Sequence, residues 1–450
     1  MPAVVTYWAE HAWLPHRGGP AVRPEVLITA GPDGRITGVV PDSGPCPAGA
    51  VRLAGLALPG QANAHSHAFH RALRSTVQVG SGTFWTWRDT MYKAAAALDP
   101  DRYLALATAV YAEMALAGIT AVGEFHYLHH APGGARYADP NAMGAALVEA
   151  AARAGIRITL LDTCYLSSGF GAEPTGPQLR FSDGDVDAWA ERASALTGAE
   201  HARIGAAVHS VRAVPAGQLD TVAQWAATRG APLHVHLSEQ TAENDACLAA
   251  HGVTPTRLLA DHGVLGPRTS AVHATHLTDE DVRLLADTGT TICMCPTTER
   301  DLADGIGPAR RLASAGCPVT LGSDSHAVID PFEEARALEL DERLRTRTRG
   351  HWTANALLKA GTADGHASLG WPEAGRLEAG ALADFCVLAL DTVRTAGAPP
   401  VLGAETAVFA AGAADVRHLV VGGRHVVRDG VHRLVPETGR ALAAAIGALR

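Results

Sequence analysis

Short apolar runs alternate with turn residues at both ends of the chain, a pattern typical of strands and hairpins. Near the N-terminus the runs cover residues 4–8, 26–30, 36–40 and 51–58, with a turn at 31–34. Near the C-terminus they cover residues 383–390, 418–421 and 425–427, with a turn at 422–423. The pattern predicts a small β-sandwich domain built from both chain ends, residues 1–58 and 375–450.

Between these ends the pattern changes to short apolar runs separated by stretches with helical spacing, which indicates repeated βα units and a parallel sheet. The candidate helices cover residues 102–117, 141–154, 219–229, 280–287 and 332–345. The eight candidate strands cover residues 56–67, 119–126, 157–165, 203–209, 232–237, 270–276, 290–295 and 318–322. Such units predict an α/β fold with a (β/α)8 TIM barrel over residues 59–374. A doubly wound open sheet is the alternative, but no Gly-x-Gly-x-x-Gly turn follows an early strand.

Composition and charge narrow the possible functions. A chain of 450 residues with 47% hydrophobic and 18% charged residues can bury a large core. Its net charge of −9 gives no broad positive field, so we do not expect a nucleic-acid partner. The N-terminus lacks a secretion signal, no apolar stretch of membrane-spanning length occurs, and the seven cysteines are scattered. We therefore expect a cytoplasmic protein that does not span a membrane.

Histidine is the unusual residue type. The chain has 22 histidines, roughly twice the number that an average usage near 2% would give. Several stand where a barrel keeps its reacting groups, at the C-terminal ends of strands. The first predicted strand ends with His65 and His67, which point to the same side, the fifth contains His236, the sixth contains His273, and Asp324 follows the eighth. Imidazoles and a carboxylate at these ends predict a metal site and suit zinc, although iron accepts similar ligands.

These residues, with Glu239 three positions after His236, together resemble the amidohydrolase superfamily, in particular its deaminases that hold one metal ion. The resemblance spans the barrel and the domain formed by the chain ends. It implies metal ligands at His65, His67, His236 and Asp324. It also implies three catalytic groups, namely Glu239 as proton shuttle, His273 beside the developing oxyanion and Asp324 as proton acceptor. The family likeness further implies a homodimer.

The lysines support a single ion independently. Superfamily members with two ions commonly bridge them with a carboxylated lysine, but the only lysines here are Lys93 and Lys359, outside the third and fourth strands. One divalent ion, zinc, is therefore the expected cofactor, and it can lower the pKa of a bound water to about 7. Attack of that water on a carbon–nitrogen double bond releases ammonia only when the nitrogen is protonated. Glu239 is the residue placed to supply that proton.

Segments that follow the strands indicate the substrate. Residues 82–92, after the first strand, are rich in aromatic side chains, as in a pocket wall or lid, or in a plug that packs the barrel mouth. Residues 124–130 and 208–212 closely resemble the superfamily members that convert N-formimino-L-glutamate to N-formyl-L-glutamate and ammonia in histidine degradation. The resemblance implies that the carboxylates of this small-molecule substrate are held by Arg88, Tyr127, His209 and Arg212. Arginine suits this task because its planar fork binds a carboxylate bidentately.

One position departs from the family pattern. His70 stands where the family has glutamine, five residues after His65. A neutral histidine can also donate one hydrogen bond, so we place His70 with the substrate-binding residues. Below about pH 6.5 an unperturbed histidine would instead carry charge.

Two other functions share parts of this pattern. A related deaminase that acts on a ring, such as guanine or a triazine, would share the metal site and differ in the pocket, because rings need stacking groups and a dicarboxylate needs cations. A catalytically silent barrel used as an assembly subunit should have lost a ligand or the shuttle. All six residues are present, namely His65, His67, His236, Glu239, His273 and Asp324.

Overall fold

The fold is described by a computed structural model that covers residues 4–15, 21–79 and 84–450. The strands are β1 (Val5–Trp13), β2 (Val22–Ala30), β3 (Ile36–Val40), β4 (Val51–Pro59), β5 (Gln61–Ser66), β6 (Ile119–His126), β7 (Arg157–Cys164), β8 (Ala202–Val208), β9 (Leu233–Leu237), β10 (Thr269–His273), β11 (Thr291–Met294), β12 (Val319–Leu321), β13 (Phe385–Leu388), β14 (Val416–Val421), β15 (Arg424–Arg428) and β16 (Val431–His432).

The α-helices are α1 (Phe84–Ala96), α2 (Pro100–Leu116), α3 (Ala142–Ala154), α4 (Val186–Ser194), α5 (Ala216–Arg229), α6 (Thr241–His251), α7 (Pro255–Asp261), α8 (Asp279–Asp287), α9 (Pro296–Asp301), α10 (Ala309–Ala315), α11 (Pro331–Thr346), α12 (Ala354–Lys359), α13 (Gly365–Ser368), α14 (Gly403–Phe409) and α15 (Thr438–Gly447). Short 3-10 turns cover Ala68–Leu73, Pro132–Gly134, Gly176–Arg180, Pro400–Leu402 and Ala413–Asp415, and a π-helical turn, Ala360–Asp364, joins α12 to α13.

Strands β5 to β12 form a parallel eight-stranded sheet in sequential order, with helices between successive strands. A parallel bridge between Ser66 and Asp324 joins the two edges, and the Asp324 amide donates to the His65 carbonyl at 3.0 Å. Every residue of β6 and β7 is buried, as expected for parallel strands covered on both faces. The predicted (β/α)8 barrel is therefore confirmed.

A second eight-stranded sheet contains β1 to β4 and β13 to β16, so the domain formed by both chain ends is also confirmed. Its strands are hydrogen-bonded into one continuous sheet, in which β4 joins the N-terminal and C-terminal strands by pairing with both β1 and β13. Its own core includes Tyr7, Ile28 and Phe385. The sheet contacts the barrel through a buried ion pair between Arg157 Nε and Asp384 Oδ2 at 2.6 Å.

The predicted first barrel strand, residues 56–67, is two strands. Strand β4 pairs with β13 of the end sheet, β5 pairs with β6 of the barrel, and Gly60 lies between them. A Cβ atom at Gly60 would lie 2.2 Å from Thr120 Oγ1, so the chain can cross between the sheets here only with glycine. The prediction merged the two strands because they are buried on either side of the crossing and only one residue separates them.

Most of residues 82–92, the segment rich in aromatic side chains, is helical. Helix α1 begins at Phe84, whereas residues 80–83 lie outside the described part of the chain. The other predicted barrel strands and helices start and end within a few residues of the observed ones. Among the described residues, no helix combines the length and apolar character needed to cross a bilayer.

Candidate active site

Three histidines meet at the C-terminal end of the barrel. His65 lies in β5, His67 directly follows this strand, and His236 lies in β9. Their ligand atoms are within 4.8 Å of one another. His67 Nδ1 donates to the Phe125 carbonyl at 3.0 Å and His236 Nδ1 donates to the His209 carbonyl at 2.9 Å. Because a carbonyl can only accept, the Nε2 lone pairs of these two rings face inward.

Asp324 completes this group from the end of the eighth barrel strand. Its Oδ1 atom lies 3.4 Å from Nε2 of both His65 and His67. Burial alone would raise the pKa of Asp324, but the hydrogen bond from His65 and the surrounding imidazoles hold it well below its ordinary value. Asp324 is therefore a carboxylate in contact with the histidine nitrogens.

The four side chains fit a divalent cation. Burial lowers the pKa of His65, and burial together with neighbouring histidines lowers the pKa values of His67 and His236 well below the ordinary value. All three imidazoles are thus neutral, the form that binds a metal. His65 Nε2 and His236 Nε2 are 3.1 Å apart. Three buried nitrogen donors and one carboxylate that converge at one point are a donor set suited to a divalent metal ion.

A second buried group, His126, His129 and Asp162, also brings ligand atoms within 4.8 Å. Its carboxylate is already engaged, because Arg192 donates to the two oxygens of Asp162 at 2.8 and 2.9 Å. The guanidinium places a positive charge where a cation would have to bind. This group therefore fits an internal ion pair and not a metal.

Glu239 and His273 lie beside the proposed ligands. His273 Nε2 is 3.8 Å from Glu239 Oε1 and 3.7 Å from Asp324 Oδ2. Burial, aided by the charge on Asp324, raises the pKa of Glu239. Burial would lower the pKa of His273, but the charge of Glu239 and the hydrogen bond that His273 donates to Glu299 raise it well above its ordinary value. The site thus combines a carboxyl group that can carry a proton with a cationic hydrogen-bond donor.

A cavity opens onto these groups. Of the residues predicted from sequence, all but His65 line it, and His65 is fully buried in contact with the other ligands. The predicted lining residues are His67, His70, Arg88, Tyr127, His209, Arg212, His236, Glu239, His273 and Asp324. The fold therefore brings every sequence-predicted site residue to one place.

His70 and Tyr127 form one wall of the cavity. His70 Nε2 and the Tyr127 hydroxyl are 2.9 Å apart. Burial lowers the pKa of His70 to about 3, so this ring is neutral at physiological pH and does not become charged near pH 6.5. A neutral ring can share one hydrogen bond with the tyrosine, as glutamine could.

Two arginines give the cavity positive charge. Arg88 lies on α1 with its Cζ atom 5.6 Å from the centre of the Tyr92 ring. Arg212 donates from Nε to Glu243 Oε2 at 2.9 Å. Burial raises the pKa values of Tyr92 and Tyr165, and both arginines oppose that rise, which places the two guanidinium groups around the same tyrosines.

Several residues around the cavity escaped the sequence analysis. Gln178 donates to the Tyr165 hydroxyl at 2.8 Å, and both side chains line the cavity. Tyr165 ends the predicted third strand, a position at which a functional residue could have been sought. Gln178 lies in a 3-10 turn without periodicity, so no local signal marks it.

Two glutamates behind the cavity were also missed. Glu243 accepts from Arg212 and from the Ser238 amide, at 2.9 and 3.0 Å. Glu299 accepts from the Cys295 amide at 2.9 Å and lies 3.3 Å from His273 Nδ1. Both occupy helices that follow barrel strands, where a glutamate usually faces solvent.

Comparisons with known proteins agree with this geometry. A sequence model of the amidohydrolase family matches residues 56–426. Formimidoylglutamate deiminase from Pseudomonas aeruginosa is 38% identical over 98% of this chain and 99% of its own length. 8-Oxoguanine deaminase from the same species is 32% identical over 83% of this chain and 82% of its own length.

The crystal structure of an amidohydrolase from Brucella melitensis superimposes with a TM-score of 0.90 and 34% identity, covering 99% of each chain. The match extends over the barrel and the sheet formed by both chain ends. Together with the family match and the histidine and aspartate centre, it shows that the chain belongs to the amidohydrolase family.

Proposed function

We propose that this chain hydrolyses N-formimino-L-glutamate to N-formyl-L-glutamate and ammonia, a step of histidine degradation. The observation that carries the proposal is the presence of two arginines, Arg88 and Arg212, in the same cavity as Glu239, His273 and Asp324. The formimidoylglutamate deiminase relative, 38% identical over nearly the full length of both chains, supports the same substrate. We propose zinc as the cofactor and His65, His67, His236 and Asp324 as its ligands.

The substrate is bound through its charged end. Arg88 and Arg212 hold the two carboxylates, because a guanidinium and a carboxylate form charge-assisted hydrogen bonds. Tyr127, His209 and neutral His70 supply further hydrogen-bonding groups on the cavity wall. The net charge of −9 does not attract a dianion from a distance, so binding depends on these local groups.

Glu239, His273 and Asp324 then move the protons. When bound, the divalent ion acts as a Lewis acid that lowers the pKa of water. The water oxygen forms a bond to the formimino carbon, and Asp324 accepts a proton from that water. Glu239 gives its proton to the imino nitrogen, so the carbon–nitrogen double bond becomes single. His273 donates a hydrogen bond to the oxygen, on which negative charge develops.

The second half of the reaction restores both carboxyl groups. Glu239 takes the proton of the new hydroxyl group as the carbonyl forms, and the proton held by Asp324 passes to the departing nitrogen. The bond between the carbon and that nitrogen breaks and ammonia leaves. Glu239 therefore both donates and accepts a proton in one cycle, a task that suits a carboxyl group with a raised pKa.

A deaminase for ring substrates is the alternative, and it is less well supported. The 8-oxoguanine deaminase relative is 32% identical over 83% of this chain, lower on both measures than the formimidoylglutamate deiminase. A purine or triazine ring has no carboxylates for two arginines to bind.

An ammonia-release assay on zinc-loaded protein separates these functions. We expect activity with N-formimino-L-glutamate and none with guanine or cytosine. N-formiminoglycine, which lacks the second carboxylate, should show a kcat/KM lower by about tenfold to a hundredfold, since a hydrogen bond to a charged group contributes about 1.5–3 kcal/mol. Activity confined to the ring substrates would overturn the proposal.

A further inference from the structure

The seventh barrel strand, β11, contributes no residue to the proposed metal site, but the short helix that follows it does contact the site. Helix α9 carries Thr298 and Glu299, which are 0% and 4% exposed. We propose that Glu299 is a positioning residue for the deamination reaction, and that it fixes the orientation of the His273 ring from behind. This inference rests on the proposed function for its kinetic consequences and on geometry alone for the contact itself.

The Glu299 carboxylate joins two elements. Its Oε1 atom accepts from the Cys295 amide at 2.9 Å and lies 3.3 Å from His273 Nδ1. The hydrogen bond from the Cys295 amide holds the carboxylate in place at the point where β11 ends. Because a carboxylate accepts, the Nδ1 proton of the ring points to Glu299, and this contact fixes the orientation of the ring. The other nitrogen, Nε2, is then the atom that faces Glu239 and Asp324.

The backbone at His273 needs such support. His273 and Ala274 have φ angles of 68° and 50°, in the left-handed region that residues other than glycine rarely adopt. Strained conformations of this kind persist only where the surrounding contacts fix them, and they cluster at active sites. The ring contact with Glu299 is one such contact, since it ties the side chain of the strained residue to helix α9, which follows the neighbouring strand.

The same helix also supports the eighth strand. Thr298 Oγ1 accepts from the Ser325 amide at 3.1 Å and donates to the Ser323 carbonyl at 3.3 Å. These two residues flank Asp324, whose φ angle is 42°. One turn of α9 therefore contacts the strand ends that carry His273 and Asp324, and Glu299 provides the contact to His273.

Glu299 acts through another residue. It is absent from the lining of the substrate cavity, so it does not touch the substrate directly. Its carboxylate accepts the Nδ1 proton of His273, and this contact keeps Nε2 directed at the oxygen on which charge develops. Loss of the carboxylate should therefore slow the chemical step and leave substrate affinity nearly unchanged, as expected for an interaction made in the transition state.

The test compares Glu299→Gln with a matched control, Glu334→Gln. Glu334 is also buried, and it accepts from the amide and hydroxyl of Thr297 at the start of the same helix. Burial raises its pKa well above the ordinary value, so glutamine resembles its protonated form. For Glu299→Gln we expect kcat to fall by about tenfold to a hundredfold, the cost of a misplaced catalytic group, with KM and zinc content unchanged. Glu334→Gln should keep the wild-type kcat.

A second readout does not depend on any substrate. In protein labelled with ¹⁵N-histidine, the Nδ1 proton of His273 should give a downfield resonance, assigned by its loss in His273→Asn. That resonance should shift or disappear in Glu299→Gln and remain in Glu334→Gln. If the wild type fails to deaminate N-formimino-L-glutamate, only the proposed function fails, whereas this spectrum still tests the contact.

Two results would overturn the inference: wild-type kcat in folded Glu299→Gln, or an unchanged His273 resonance in that variant. If the glutamine variant does not fold, Glu299→Asp, which keeps the charge on a shorter side chain, is compared in the same way. A fall in kcat at constant KM in the aspartate variant would support the inference, and full activity would contradict it.

Discussion

At the residue scale, backbone carbonyls decide which nitrogen of each histidine is available. The carbonyls of Phe125 and His209 accept from His67 and His236, and a carboxylate lies at Nδ1 of His273. The sequence shows that histidines stand at strand ends, but these partners are far away along the chain. Residue type was therefore predictable, whereas tautomer and charge were not.

The contact between Arg212 and Glu243 leads to a prediction at this scale. Glu243 engages Nε of Arg212, and within the described part of the chain the two terminal nitrogens have no hydrogen-bond partner. Arg212→Met should therefore raise KM for N-formimino-L-glutamate by at least about tenfold, since hydrogen bonds to charged groups contribute about 1.5–3 kcal/mol. Steady-state kinetics measure the change, and zinc per chain should equal that of the wild type.

Arg153→Met is the matched control for this substitution. Arg153 is exposed on α3 and paired with Glu149, so its replacement should leave KM unchanged. An unchanged KM in Arg212→Met as well would remove Arg212 from the substrate site.

At the scale of elements, the barrel places its chemistry where the first and eighth strands meet. The bridge between Ser66 and Asp324 closes the barrel. It places two proposed metal ligands, His65 and Asp324, next to each other. Buried parallel strands leave short apolar runs, so most strands could be located from the sequence. The crossing at Gly60 was missed, because the two buried strand ends belong to different sheets but are separated by only one residue.

Gly322 tests this junction. It follows β12, and a Cβ atom there would lie 2.7 Å from His65 Cβ and 3.0 Å from Cys295 Sγ. Gly322→Ala should therefore displace His65 and reduce metal affinity by about tenfold to a hundredfold, the usual effect of disturbing the support of a ligand. Zinc per chain after equilibration with a chelator measures this loss.

Gly38→Ala serves as the control for Gly322→Ala. Gly38 lies on β3 of the end sheet, with nothing within 4 Å of the added atom. We expect its zinc content to match the wild type. Equal zinc in both variants would show that the junction tolerates the methyl group and that His65 does not depend on it.

At the scale of the whole molecule, a buried ion pair links the barrel to the end sheet. Arg157 donates from Nε and Nη2 to Asp384 at 2.6 and 3.1 Å, and the Gly422 amide also donates to Asp384 at 2.7 Å. The two side chains are 8% and 0% exposed. Breaking a buried pair leaves one charge uncompensated, which usually costs about 3–5 kcal/mol.

Asp384→Asn should therefore lower the free energy of unfolding by about 3–5 kcal/mol, measured by urea titration followed by circular dichroism. The exposed pair of Glu149 and Arg153 provides the comparison, since Glu149→Gln should change stability by less than about 1 kcal/mol. A similar small change in both variants would mean that the pair contributes little to joining the two domains.

The sequence by itself determined the order of strands and helices, the contribution of both chain ends to one domain, and the residue types at the barrel mouth. These features can be recognised from local sequence, because the spacing of apolar residues and the polar residues at strand ends both involve positions close together in the chain. Only the tertiary structure decided that α1 carries Arg88 into the cavity, that His70 is neutral, and that Glu243 and Glu299 stand behind Arg212 and His273. Those facts depend on burial and on contacts between residues distant in sequence, which no local pattern records.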